Sequence, residues 1–282
     1  SGGDTLSFSA DVVGATIDAG ADSDTLIFAS TVTGRISGLY STNEFVSFAN
    51  GGATVAFGSG IGSGSTIQFG TANDMATFIG AVSAAQIKSG NGNDTLAFTN
   101  VTLAGTSFSG GDGTDVFSGT IASVGAGGVS FWGNEGNDTF NFSQISTGSN
   151  TAYFWNTSGS DSILFGSAVS GAAGLANVRF GITEQASTAI SFTSTTTVVT
   201  AGANSFSNMF GVASDAASFI SVGVATDAVT LTFSGASGSG FNVTNGSYVL
   251  IGADVEAITA AFGLTAPGTA AWGGSTTVPT FS

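Results

Sequence analysis

The side chains able to do chemistry in this chain are almost all acids, and they recur at a regular spacing. Asp4, Asp24, Glu44, Asp74, Asp94, Asp115, Asp138 and Asp161 follow one another at steps of 20, 20, 30, 20, 21, 23 and 23 residues. A row of carboxylates with Asn and backbone carbonyls nearby is the hard-oxygen donor set that suits Ca²⁺. The sequence of 282 residues has no His and no Cys, which excludes His-based catalysis, His metal ligation, thiol chemistry and disulfides. Its three cations, Arg35, Lys88 and Arg179, are too scattered to hold a polyanionic sugar. The acids sit on the repeat rather than off it, so the paired-carboxylate chemistry of polysaccharide cleavage finds no support. The chain is read as not an enzyme. A net charge of −15 repels nucleic acid and anionic lipid.

The elements that position these acids share their period. Two residues after each acid stands Leu6, Leu26, Val46, Ala76, Leu96, Phe117, Phe140 or Ile163. Four after it stands Phe8, Phe28, Phe48, Phe78, Phe98, Gly119, Phe142 or Phe165. Alternation at period two is a strand with one buried face. A second short strand precedes each turn and carries Ile17, Ile36, Ile67, Ile87, Phe108, Phe131 and Phe154. A third apolar point follows each acid, at Val12, Val32, Val82, Val101, Ile121, Ile145 and Val169. A repeat of about 20 residues signifies a solenoid. The fold class is therefore all-β, a parallel β-helix with three short strands per coil and coils stacked about 4.8 Å apart. Equivalent Phe residues (Phe28, Phe48, Phe78, Phe98, Phe142 and Phe165) are expected in one buried axial column. The step of 30 contains Ala53–Phe57 and suggests an inserted hairpin or an irregular coil. Stacked acids about 5 Å apart repel by roughly 0.8 kcal/mol per pair even in water, so something must offset them. The offset is either a cation between coils or Asp and Asn side chains accepting backbone N–H groups within their own turn.

Three turns carry a more specific pattern: Ser89–Ala97 (SGNGNDTLA), Gly110–Ser118 (GGDGTDVFS) and Gly133–Asn141 (GNEGNDTFN). They resemble the calcium-binding nonapeptide repeat of RTX proteins, G-G-x-G-x-D-x-U-x with U a large apolar residue. The second turn fits every defined position; the others depart only at Ser89 and Asn134. The resemblance covers these turns well, residues 1–165 loosely and residues 195–282 not at all. It implies Ca²⁺ between stacked turns, held by Asp94, Asp112, Asp115 and Asp138, with Asn91 and Glu135 assisting. Asp22 and Asp24 form a second candidate metal site. The resemblance extends to bacterial S-layer and surface-fibre proteins, and the Lys-poor, Gly/Ser/Thr/Asn-rich composition points to the same extracellular setting. The function expected is a structural protein that self-assembles into a layer or filament. The alternative is the stalk of a secreted RTX adhesin or polysaccharide-acting enzyme.

Beyond Phe165 the pattern loosens. The residues divide into a solenoid, 1–194, and a non-repeating β-rich cap or assembly domain, 195–282. Residues 175–180 are expected to make a last coil, and residues 190–200 a strand leaving it. Residues 222–233 and 241–251 read as strands, and residues 254–262 as a helix stopped by Gly263. Ser1 in place of an initiator Met marks a part of a longer chain. No run of about 18 apolar residues exists, so no membrane span is expected. Trp132 and Trp155 each follow an inward Phe and should point outward, stacked at one corner. Asp4, Leu6 and Phe8, on the first coil, are expected to pair with the 200–282 region of a neighbour. That contact makes a head-to-tail homopolymer, with the Trp132/Trp155 face as the lateral alternative and cell-surface polysaccharide as a further partner.

Overall fold

The computed structural model describes residues 3–49, 51–147, 150–156 and 159–165, together with the backbone of five later strands. The first coil is β1 (Thr5–Phe8) and β2 (Val12–Asp18), the second β3 (Thr25–Phe28) and β4 (Val32–Ser37), the third β5 (Phe45–Phe48) and β6 (Ala53–Phe57). The fourth is β7 (Thr66–Gln68), β8 (Met75–Phe78) and the short β9 (Val82–Ser83), and the fifth β10 (Gln86–Asn91) and β11 (Thr95–Ala104). Then come β12 (Thr106–Asp112) with β13 (Val116–Val124), and β14 (Val129–Glu135) with β15 (Thr139–Ile145). The next pairs are β16 (Ala152–Asn156) with β17 (Ser160–Phe165), and β18 (Val178–Ile182) with β19 (Ala186–Phe192). The last strands are β20 (Ile220–Ala225), β21 (Ala228–Ser234) and β22 (Asn245–Ile251).

These strands stack into a β-solenoid with two sheets. The first sheet runs β1-β3-β5-β7-β10-β12-β14-β16-β18, and every pairing is parallel. The second runs β2-β4-β6-β8-β11-β13-β15-β17-β19 and continues into β22, β21 and β20. The expected third strand is not a separate layer. Val101 and Ile121 lie on the long strands β11 and β13, beyond register shifts near Phe98 and Gly119, and Val82 lies on β9, which pairs with β11. The bulge lets one strand turn the corner without leaving its sheet.

The step of 30 is not an insertion. Val46 pairs with Ile67 in the first sheet, while Val55 pairs with Ala76 in the second. The segment after Glu44 therefore lies in one sheet and the segment after Asp74 in the other. Residues 53–57 are the regular strand β6, and between Glu44 and Asp74 the acid position moves to the other corner of the coil. The single Phe column is accordingly two. Phe8, Phe28, Phe48 and Phe69 stack at centroid spacings of 4.8, 5.1 and 4.6 Å along the first sheet. Phe57, Phe78 and Phe98 stack at 5.2 and 5.5 Å along the second. Gly119 interrupts the second column before Phe142. Phe108 and Phe131 reach across from the first sheet and meet Phe98 edge-on at 5.0 and 5.8 Å. Edge-to-face contacts between the sheets, with stacks along each, fill the core.

Outward positions of the first sheet form two columns. One runs Thr5, Thr25, Phe45, Thr66, Gln86, Ser107, Ser130 and Tyr153; the other runs Ser7, Ile27, Ser47, Gln68, Lys88, Ser109, Trp132 and Trp155. The last expected coil is present, since Ala152↔Val178 and Ile163↔Ile190 are in register. Beyond it, β22 adds in parallel to β19, and β21 and β20 then pair antiparallel. Residues 222–233 therefore belong to two strands and not one. The helix expected at 254–262 lies outside the described residues. Among the described residues no helix is long and apolar enough to cross a membrane.

Phe98 is 2% exposed and touches both sheets. Phe98→Ala should destabilise the protein by about 3–5 kcal/mol in equilibrium denaturation, as core truncations do; a loss below about 1 kcal/mol contradicts this packing.

Candidate functional site

The acid-bearing turns are shaped by backbone that few residues adopt. Gly90 and Gly92 have φ of 99° and 120°, and Gly111 and Gly113 have 109° and 140°. Asn134 stands where the other two turns have Gly90 and Gly111, and keeps a left-handed φ of 70°. Asn tolerates that region because its short polar side chain bonds locally; here its Nδ2 donates to Ser109 Oγ at 2.8 Å.

Each turn delivers its acid to the interior, where it binds the coil before it. Asp74 N–H donates to Asp94 Oδ1 at 2.7 Å, Asp94 N–H to Asp115 Oδ1 at 2.8 Å, Asp115 N–H to Asp138 Oδ1 at 2.9 Å and Asp138 N–H to Asp161 Oδ1 at 2.8 Å. A second ladder occupies the other corner. Asp4 N–H donates to Asp24 Oδ1, Asp24 N–H to Glu44 Oε2 and Glu44 N–H to Ser65 Oγ, at 2.8, 2.7 and 3.1 Å. The bonds run between turns, not within one as expected for a metal-free turn.

Sequence reasoning missed the residues just before the acids. Asn93 N–H donates to Asn73 Oδ1, Thr114 N–H to Asn93 Oδ1 and Ser160 N–H to Asn137 Oδ1, each at 2.8 Å. These bonds run in the opposite sense, so Asn93 and Asp94 clamp one coil to both of its neighbours. The Asn-Asp pair at 73–74, 93–94 and 137–138 was the available signal.

Burial separates the candidate metal ligands. Asp94, Asp115, Asp138 and Asp24 are at most 1% exposed. Asp112 is exposed, in register with exposed Asn91 and Glu135, although its charge still helps raise the pKa of Asp115. Asp22 is also exposed, with φ of 80°, and its N–H donates to Ser41 Oγ at 3.0 Å. The candidates thus fall on two ladders and the surface. Among the described residues no three acidic side chains gather around one point.

The second carboxyl oxygens of Asp24, Glu44, Asp74, Asp94, Asp115, Asp138 and Asp161 are buried without a hydrogen-bond partner in the chain. Burial pushes the carboxyls of Asp94, Asp138 and Asp161 up to about 7 and those of Asp74 and Asp115 up to about 6, against the lowering effect of the N–H bonds they accept. Burial raises Glu44 also. A Cβ added at Gly110 would lie 2.2 Å from Asp115 Oδ2 and 2.8 Å from the Gly133 carbonyl oxygen. A side chain there would clash, so glycine is what lets the Asp115 carboxyl and the Gly133 carbonyl pack this close to the turn. Carboxylate and carbonyl oxygens are the donor type a hard divalent cation takes, and Asp115 Oδ2 with the Gly133 carbonyl is the pair that Gly110 brings together.

Of the assembly candidates, Asp4 is exposed, and Leu6 and Phe8 are partly buried against the core. Trp132 and Trp155 lie on the outer face of the first sheet, not at a corner, in register and stacked at 5.0 Å with 9° between planes. Tyr153, on the same face, lies parallel to Trp155 at 6.4 Å. No protein family, curated protein or solved structure matches this chain.

In metal-free buffer the folded chain should hold protons that the unfolded chain, with carboxyl pKa values near 4, releases between about pH 4 and about pH 7. Stability should therefore fall as pH rises through that window and level off above it. Asp138→Asn keeps the Oδ1 acceptor but cannot ionise, so it should flatten the slope. Urea denaturation across the window checks both, and stability that rises toward neutral pH contradicts the buried ladder.

Proposed function

We propose that this chain is an extracellular structural protein, a rigid β-solenoid rod that self-assembles into a surface layer or filament and is stabilised by Ca²⁺. One observation carries the reading. The acids are nearly the only reactive groups in the chain, and those on the repeat from Asp24 to Asp161 are buried in ladders that tie coil to coil. Groups placed so hold a scaffold together and are withdrawn from any substrate. Both sheets present regular outer faces along the rod, which suits periodic contact with copies of itself.

The buried carboxyl oxygens without partners, together with the RTX-like turns, support Ca²⁺. At neutral pH a divalent cation would offset the charge that burial penalises. Asp94, Asp115 and Asp138 would each offer such an ion, between neighbouring coils, the oxygen left over by the N–H bond it accepts.

Negative-stain microscopy of the protein with Ca²⁺, then with EGTA, tests this. Ordered sheets or fibres that dissolve on chelation are expected; dispersed rods at every calcium level would favour the stalk reading. EGTA should also lower the melting temperature. Asp115→Ala strips Asp94 N–H of its acceptor, so it should destabilise by about 1–3 kcal/mol even without metal and weaken the response to Ca²⁺. An unchanged response would remove Asp115 from the site.

A further inference from the structure

Among the described residues the outer face of the first sheet combines three features. It carries no acid at any outward position from β1 to β16, in a chain with 18 acids against three cations. The exposed acids of the described residues, Asp4, Asp11, Asp18, Asp22, Asp112 and Glu135, all sit in turns or at strand ends. The face also displays apolar surface, with Ile27 at 38% and Phe45 at 36% exposure and the partly exposed Trp132–Trp155 stack. At its centre Lys88 is exposed and forms no ion pair within the described chain. Among the described residues the opposite face carries the exposed Asp18 at the end of β2, its outward positions carry no aromatic, and its Arg35 donates to the Gly58 carbonyl at 2.9 Å.

We propose that this face is the lateral interface between two copies of the chain. The proposal rests on the self-assembly reading and names the surface that serves it. Two rods of net charge −15 repel wherever their acid-bearing corners meet, within a screening length of about 8 Å at physiological salt. Acid-free faces can come together without that repulsion, and Lys88 is then available to the corner acids of the partner copy, Asp112 or Glu135. The two surfaces also match in period, because both present rungs about 4.8 Å apart.

The Trp geometry argues against a sugar as occupant. Parallel indoles only 5.0 Å apart must overlap face to face, so each covers part of the other and the pair presents ring edges outward. A sugar platform needs open ring faces, whereas edges suit insertion between the side chains of a second flat sheet. The footprint is about 500 Å² per copy, from eight strand spacings and four-residue strands. That is below the roughly 800 Å² of a standard interface, so one pair is weak and the contact gains strength only when repeated through an assembly.

The test uses the full chain and charges placed on outward strand positions. Gln68→Glu with Ser109→Asp puts acids in the middle of the face, and Thr77→Asp puts one on the opposite sheet as a control. Assembly is read by sedimentation and microscopy, with melting curves to confirm the fold. The double variant should keep its melting temperature and raise the concentration needed for assembly by about tenfold or more, while Thr77→Asp assembles as the parent does. A folded double variant that assembles like the parent overturns the proposal and leaves the self-assembly reading standing. A parent chain that stays monomeric at all concentrations overturns both. A monomeric parent whose Trp fluorescence shifts on adding a neutral glucan assigns the face to a glycan instead.

Discussion

Parallel stacking in register imposes one constraint on everything else in this molecule: a residue that recurs once per coil meets its own kind about 4.8 Å away. For Phe this is favourable, and the two columns at 4.6–5.5 Å are the result. For glycine it allows backbones to approach so closely that a Cβ at Gly111 would lie 1.7 Å from the Gly90 carbonyl oxygen. For acids it is unfavourable, and the ladder is the local answer. Each carboxyl accepts an N–H from the coil before it, which satisfies a turn donor that has no strand partner. Half of each carboxyl is used in this way. The other half is desolvated, and burial raises its pKa toward neutrality.

Much of this was legible in the sequence. The period near 20, the strand after each acid and the outward Trp pair follow from spacing and alternation alone. The hop from one corner to the other was hidden. The strands that follow Glu44 and Asp74 have the same pattern, yet they lie in different sheets. A period counted on acids cannot tell a longer coil from a move to the next corner. Phe69 was missed for the same reason: it continues the column of Phe48 but stands outside the acid-based alignment. The candidate metal ligands differ in burial, which the repeat pattern does not read. Asp112 and Asp115 are three residues apart, yet one is exposed and the other wholly buried.

The same arrangement bears on function. A net charge of −15 suggests a strongly acidic surface, but several of those carboxyls are internal, and the exposed acids among the described residues lie in turns or at strand ends. The rod therefore has charged edges and neutral faces. Such a distribution keeps single rods apart edge to edge while leaving their faces open to contact, which is the property a self-assembling scaffold needs.

The inter-coil bonds made by the acids hold the ladders together. Backbone amide hydrogen exchange at Asp74, Asp94, Asp115 and Asp138 measures them residue by residue. These amides sit in Gly-rich turns and would exchange fast if the turns were open. Bonded to buried carboxyls, they should be protected as strongly as the amides of β11 and β13. Exchange as fast as that of an exposed loop would contradict the ladder.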